Sequence, residues 1–259
     1  MPFANLPDLK MYYEWMGAES SPVMVFSNGL GTNVRMWDGQ LESFSHHFRV
    51  LRYDVRGHGR STVTPGPYTI AQLSWDLIQL MDFLRLDRVH FCGLSMGGMV
   101  GMFLGANTAN RFHKFALSNT ASKFGDEDMW NKRMQSVRSG GMKAVVSSVL
   151  DRWLTPNFRS AHPTETQAVL SMLERANPDG YIAACAAVRD TDHRNILKDI
   201  HSPTLVLTGT HDPAATPAAS QVLTRSIPGA VYVELPASHL SNVEARDQFN
   251  EQVLDFLLA

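Results

Sequence analysis

The chain has 259 residues, 44% of them hydrophobic and 19% charged, with 18 glycines and 13 prolines. This composition excludes a disordered, collagen-like or coiled-coil protein and fits one large α/β domain or a domain carrying an insertion. Its 23 Lys and Arg against 25 Asp and Glu leave a net charge of −2, which gives no electrostatic case for nucleic acid or a membrane surface as a partner. The two cysteines, Cys92 and Cys185, stand in apolar contexts. They are too few for a disulfide framework or a structural zinc site, so a reducing cytoplasm is the expected compartment. The first residues lack a basic stretch followed by an apolar one, so no secretory signal is expected. No apolar run approaches the roughly 20 residues of a membrane span.

In chain order, short apolar runs predict strands at residues 11–15, 22–27, 48–53, 88–92, 112–118, 203–207 and 230–235, and longer periodic stretches predict helices at 70–84 and 97–107. The inner runs, such as Val23-Met24-Val25-Phe26, are continuous rather than alternating, which suits parallel strands covered on both faces by helices. Strands alternating with helices predict a doubly wound α/β fold. Between residues 122 and 189 that rhythm stops. Met142, Val145, Val146, Val149, Leu150 and Trp153 follow the spacing of one helix face. Residues 165–176 and 179–188, bounded by Pro163 and Pro178, predict two further helices. The expected organisation is therefore a core of residues 1–121 and 190–259 with an all-helical insertion at 122–189.

The sharpest chemical signal is Gly93-Leu94-Ser95-Met96-Gly97, placed after the apolar run Val89-His90-Phe91-Cys92 and at the start of a predicted helix. Gly-x-Ser-x-Gly in a strand–turn–helix context is a nucleophile elbow, with the hydroxyl raised above the strand ends. A serine hydroxyl needs a base to take its proton. In such folds the acid and then the histidine follow the serine at the ends of later strands. Asp212 lies just beyond the run Pro203–Leu207 and is the expected orienting acid. His239 follows the last predicted strand and is the expected base. Asp54 is a rival acid, set aside on chain order; His58 lies in a Gly-rich turn after a strand, whose geometry Asp54 and Arg56 are expected to fix. His46, His47, His113, His162, His193 and His201 read as surface or helix-end residues. An oxyanion needs backbone donors. The expected pair is the N–H of Met96, directly after the nucleophile, and that of Leu30, in the Gly-rich segment Ser27-Asn28-Gly29-Leu30-Gly31-Thr32.

Over nearly its whole length the sequence resembles the α/β-hydrolase superfamily, and within it the 3-oxoadipate enol-lactonases of bacterial aromatic catabolism. The residues that carry the resemblance are Ser27 to Thr32, Tyr53-Asp54-Val55-Arg56-Gly57-His58-Gly59, the elbow through Gly101, Leu117-Ser118-Asn119-Thr120-Ala121, Trp130-Asn131-Lys132-Arg133, Leu150-Asp151-Arg152-Trp153-Leu154-Thr155-Pro156 and Ala237-Ser238-His239-Leu240-Ser241-Asn242-Val243-Glu244. The chain departs from the pattern at Arg246, where a proline is expected. The resemblance implies an α/β-hydrolase fold, a mostly parallel central sheet flanked by helices, with a helical cap. It implies hydrolysis of a small anionic enol-lactone through an acyl-enzyme on Ser95, with no metal or organic cofactor. The lactone's carboxylate calls for a cation in a pocket suited to a flat ring. Among the cap arginines 133, 138, 152, 159 and 189, Arg133 shares a helix face with Trp130 and is the expected partner, with Trp130 and Trp153 as aromatic walls. A general carboxylesterase or cofactor-free perhydrolase is the alternative, and a non-catalytic ligand-binding protein of the same fold a more distant one. The sequence does not give the oligomeric state.

Overall fold

A computed structural model describes residues 3–259 of the chain. Each predicted strand forms: β2 (Lys10–Met16), β3 (Val23–Ser27), β4 (Arg49–Tyr53), β5 (Val89–Leu94), β6 (Phe112–Ser118), β7 (Thr204–Gly209) and β8 (Val231–Leu235), preceded by an unpredicted three-residue β1 (Phe3–Asn5). Three residues are too few to show a period, and β1 exists because β2 offers it an antiparallel edge. The strands form one eight-stranded sheet in the order β1-β2-β4-β3-β5-β6-β7-β8. The β2–β4 pair is antiparallel and every pair from β4 to β8 is parallel. Continuous apolar runs end up where both faces are covered: all six residues of β7 are buried, whereas β8, at the sheet edge, is half exposed.

The α-helices are α1 (Leu41–Ser45), α2 (Ile70–Phe83) and α3 (Met96–Asn107), followed between β6 and β7 by α4 (Glu127–Gly140), α5 (Lys143–Trp153), α6 (Pro156–Ala161), α7 (Pro163–Glu174) and α8 (Pro178–Arg189), and then by α9 (Pro217–Ser226), α10 (Ser241–Glu244) and α11 (Arg246–Leu258). Among the described residues no strand lies between β6 and β7. The starts of these inserted helices are chemically marked. Asp126, Thr155 and Asn177 accept N–H bonds at helix N-termini, and Pro156, Pro163 and Pro178 occupy the first helical position, where a missing N–H costs nothing. The predicted stripe on α5 turns Val145, Val149 and Trp153 inward. Buried apolar side chains run without a break from Val25 and Phe91 in the sheet to Trp130, Val149 and Tyr181 in the insertion.

Two expectations about single residues change or sharpen. His193 is not a surface residue: it is 7% exposed, its ring lies 6.3 Å from that of Phe103, and its backbone N–H donates to Ser122 O at 2.8 Å. Cys92 and Cys185 are free and buried, and burial pushes the Cys185 thiol up to about 12. No helix among the described residues is long and apolar enough to cross a membrane.

Candidate active site

Ser95 stands at the junction of β5 and α3 with φ 58° and ψ −114°. A non-glycine residue held there carries on the order of 1–3 kcal/mol of strain, so its surroundings must leave no easier path. The flanking glycines explain how. A Cβ on Gly93 would lie 2.2 Å from Gly97 O, and one on Gly97 would lie 2.2 Å from Ser27 O. Only glycine lets the turn close against β3. The serine is pinned further by its N–H to Ser118 O at 2.9 Å and by Thr120 Oγ1, which donates to Ser95 O at 2.8 Å.

The loops after β7 and β8 bring Asp212 and His239 to this serine. His239 Nε2 lies 2.9 Å from Ser95 Oγ, and His239 Nδ1 lies 2.8 Å from Asp212 Oδ2. A carboxylate only accepts, so Nδ1 carries the proton and Nε2 is free to take the one on the serine hydroxyl. Asp212 Oδ1 accepts the N–H groups of Ala214 and Ala215 at 2.8 and 3.0 Å, and Oδ2 also accepts Asn119 Nδ2 at 3.0 Å. Burial raises the carboxyl's pKa, but the facing His239 and these hydrogen bonds outweigh it and hold the group below its ordinary value. The rival acid, Asp54, is committed elsewhere: its two oxygens accept the N–H groups of Val34 and Arg60, each at 2.8 Å. Burial pushes it up to about 6.

The two expected oxyanion donors also converge here. Met96 is the first residue of α3, where an N–H has no partner inside the helix. In the facing loop, Gly29 N–H donates to Met36 Sδ and Gly31 N–H to His58 Nε2. The N–H of Leu30 between them donates to nothing among the described residues. A Cβ on Gly29 would lie 3.7 Å from that of Ser95, so the loop passes directly over the serine.

Above the serine opens a cavity of about 160 Å³ whose walls include Leu30, Ser95, Trp130, Arg133, Trp153 and His239. A cavity of roughly that size holds a molecule like benzene. All three cap residues expected at the site therefore line it. Arg133 stacks over Trp130, with Cζ 4.9 Å from the ring centroid. A second guanidinium, Arg152, joins it in the wall; burial and the Arg133 charge lower its pKa. Arg159 and Arg189 are tied to Asp151 and Asp190 at 2.7 and 2.6 Å and do not line the cavity. Among the described residues neither Arg133 nor Arg152 has a carboxylate within 4.0 Å. The walls thus carry positive charge without a protein counter-ion. No group of three or more His, Cys, Asp or Glu among the described residues is placed to hold a metal ion.

The family profile described as the alpha/beta hydrolase fold matches residues 22–245. The chain belongs to the α/β-hydrolase family. It is 38% identical over 246 residues, 95% of its length and 92% of the relative's, to a protein of Acinetobacter baylyi named 3-oxoadipate enol-lactonase 2. A second protein of that organism, named 3-oxoadipate enol-lactonase 1, is 36% identical over 90% of this chain and 87% of its own. The crystal structure of the enol-lactonase from Burkholderia xenovorans superposes with a TM-score of 0.98 at 43% identity, covering 100% of both chains.

Three residues of this α/β-hydrolase matter to the site and were given no role from sequence. Asn119 (φ 46°) bridges Asp212 and the carbonyl of Ser238, while its Oδ1 accepts the hydroxyls of Ser118 and Ser241. Its backbone turns to positive φ directly after β6, which the folded chain shows and the sequence does not. Glu244 accepts Ser238 N–H at 2.9 Å and Thr155 N–H at 3.2 Å, together with the Thr155 hydroxyl. It thereby ties the histidine loop to the end of α5. The last carbonyls of α5 complete the tie: Arg152 O accepts Ser238 Oγ at 2.7 Å, and Trp153 O accepts Leu240 N–H at 3.0 Å. Arg152, the third, is one of five arginines of which helix spacing singles out only Arg133.

Proposed function

We propose that this ester-hydrolysing enzyme opens 3-oxoadipate enol-lactone to 3-oxoadipate, a step of the β-ketoadipate pathway of aromatic catabolism, through an acyl-enzyme on Ser95. The observation that carries the reading is the pairing of two features in one cavity. A serine–histidine–aspartate relay lies at its floor, and two arginines without carboxylate partners stand in its wall. The names of the relatives point to the same substrate.

In this mechanism Ser95 Oγ attacks the lactone carbonyl as its proton passes to His239 Nε2. Asp212 stabilises the imidazolium through Nδ1. The N–H groups of Leu30 and Met96 receive the oxyanion. Collapse of the tetrahedral intermediate breaks the ring C–O bond. The released enol oxygen takes the proton from His239, and the enol tautomerises to the ketone while it remains tethered through the acyl group. His239 then removes a proton from water, the hydroxide attacks the ester carbonyl, and Ser95 regains its proton as the acid leaves. Arg133 and Arg152 hold the carboxylate of the substrate by charge-assisted hydrogen bonds, with Trp130 and Trp153 against the ring. The insertion at 122–189 acts as the cap that carries these groups. Two buried free thiols suit a reducing compartment, the cytoplasm.

The test is to mix the purified protein with the enol-lactone, follow loss of its ultraviolet absorbance, and run a neutral nitrophenyl ester beside it. The proposal expects kcat/KM for the lactone to exceed that for the neutral ester by about two orders of magnitude, the scale of one charge-assisted hydrogen bond to the carboxylate. Equal values would support the general carboxylesterase instead.

A further inference from the structure

We propose that His58 is the positioning residue of the oxyanion hole: a neutral imidazole whose Nε2 accepts the Gly31 N–H and thereby fixes the peptide beside the Leu30 donor. The proposal rests on the reading of Leu30 as that donor.

His58 is 2% exposed and makes two hydrogen bonds through its ring. Nδ1 lies 3.1 Å from Arg56 O, and Nε2 lies 3.0 Å from Gly31 N. A carbonyl can only accept and an amide N–H can only donate. The proton therefore sits on Nδ1 and the lone pair on Nε2, and neither the other tautomer nor the imidazolium satisfies both contacts. Burial lowers the His58 pKa, in the same direction.

The consequence lies in the backbone of the loop. The Gly29–Leu30 peptide, which carries the Leu30 N–H, is held by its carbonyl: Gly29 O accepts Thr32 Oγ1 at 2.8 Å and Thr32 N–H at 3.2 Å. The Leu30–Gly31 peptide is held by its N–H on His58. Two successive peptide planes are thus fixed on either side of the Leu30 Cα, and the Leu30 N–H is the donor left over. Thr32 belongs to the loop itself and would move with it. His58 does not; it anchors the loop to the turn after β4. That turn is rigid for its own reasons. Arg56 makes paired hydrogen bonds to Asp76 and to Asp8, and Asp54 accepts the N–H groups of Val34 and Arg60. An oxyanion hole works because its donors are already aimed before charge develops. Here the aiming is done by a side chain that never touches the substrate.

The test compares three variants with the wild type on the lactone and on a neutral nitrophenyl ester. In His58→Gln the side-chain oxygen can reach the place of Nε2 and keep the Gly31 N–H. In His58→Asn the amide reaches only the place of Nδ1, and in His58→Leu neither contact survives. The expected result is that Asn and Leu lose roughly 10- to 100-fold in kcat on both substrates, somewhat less than removal of a donor outright, while KM moves by less than about threefold. Gln should retain most of the wild-type kcat. A boronic acid that forms a tetrahedral adduct on Ser95 should lose affinity in step with kcat in the Asn and Leu variants, while inhibition by the product dicarboxylate stays constant. Thermal melts of all four proteins identify any variant that does not fold, and the Asn–Gln comparison carries the test if Leu is one of them. Equal losses for Asn and Gln, or boronate affinity falling no more than product affinity, would overturn the proposal. So would kcat in the Asn variant within about twofold of wild type. Ser95→Ala separates this failure from a wrong assignment of the nucleophile: if it abolishes turnover while His58→Asn does not, only the role of His58 falls.

Discussion

Replacing Arg133 by Met removes the charge and keeps most of the stem, so the packing against Trp130 survives while the guanidinium is lost. Two unit charges about 4 Å apart attract by roughly 4 kcal/mol at the effective dielectric near a protein surface. Arg133 is half-buried and Arg152 remains in the same wall, so only part of that attraction is at stake. A charge-assisted hydrogen bond contributes about 1.5–3 kcal/mol, equivalent to a loss of roughly 10- to 150-fold in kcat/KM on the anionic lactone. A neutral nitrophenyl ester has no carboxylate to lose, and its kcat/KM should stay within about threefold. The double variant Arg133→Met/Arg152→Met should lose more on the lactone than either single change, because a second donor no longer compensates. The assay is the ratio of the two kcat/KM values in each variant, which cancels any damage to the fold or the relay. Equal losses on both substrates would show that Arg133 supports structure, and no loss on either would refute the reasoning from unpaired charge.

Ser95→Ala should abolish turnover at an unchanged melting temperature, with a loss on the order of a million-fold in kcat; residual activity near the wild type would exclude it as the nucleophile. Glu244→Ala leaves the N–H groups of Ser238 and Thr155 without their acceptor. Because Glu244 is half-buried and water can partly substitute, the cost should be about 1–2 kcal/mol and a few degrees in Tm. A fall in kcat should accompany it as the histidine loop loosens; kinetics and a thermal melt read both. His193 is held by burial at about 4, against an ordinary 6.5. Between those values the unfolded chain binds the extra proton, so stability is complete above pH 6.5 and falls as the pH drops toward 4, by up to about 3 kcal/mol. His193→Phe should flatten that part of a curve of unfolding free energy against pH obtained from urea titrations; an unchanged slope would assign the acid sensitivity to other groups.

The sequence by itself determined what depends on near neighbours along the chain. A turn tight enough for Ser95 demands glycine on both sides within five residues, so the elbow is visible as a string. Strands buried on both faces must be continuously apolar, so β3 and β7 could be read directly, and the prolines at 163 and 178 mark helix starts by a local rule. Chain order then favoured Asp212 over Asp54, and in the folded chain Asp212 Oδ2 lies 2.8 Å from His239 Nδ1. Tertiary structure decided everything that needs two distant segments at once. Asn119 meets Asp212 across 93 positions, and Glu244 meets Thr155 across 89; a polar residue in a loop looks the same in sequence whether its partner is a carboxylate or water. The arginines differ for the same reason. Arg133, Arg152, Arg159 and Arg189 all lie on helices between β6 and β7, and only packing shows that the first two face the cavity while the other two, each paired with an acid, do not. The tautomer of His58 is likewise fixed by a carbonyl two residues away and an amide 27 residues away, and only the folded chain brings those two groups to opposite sides of one ring.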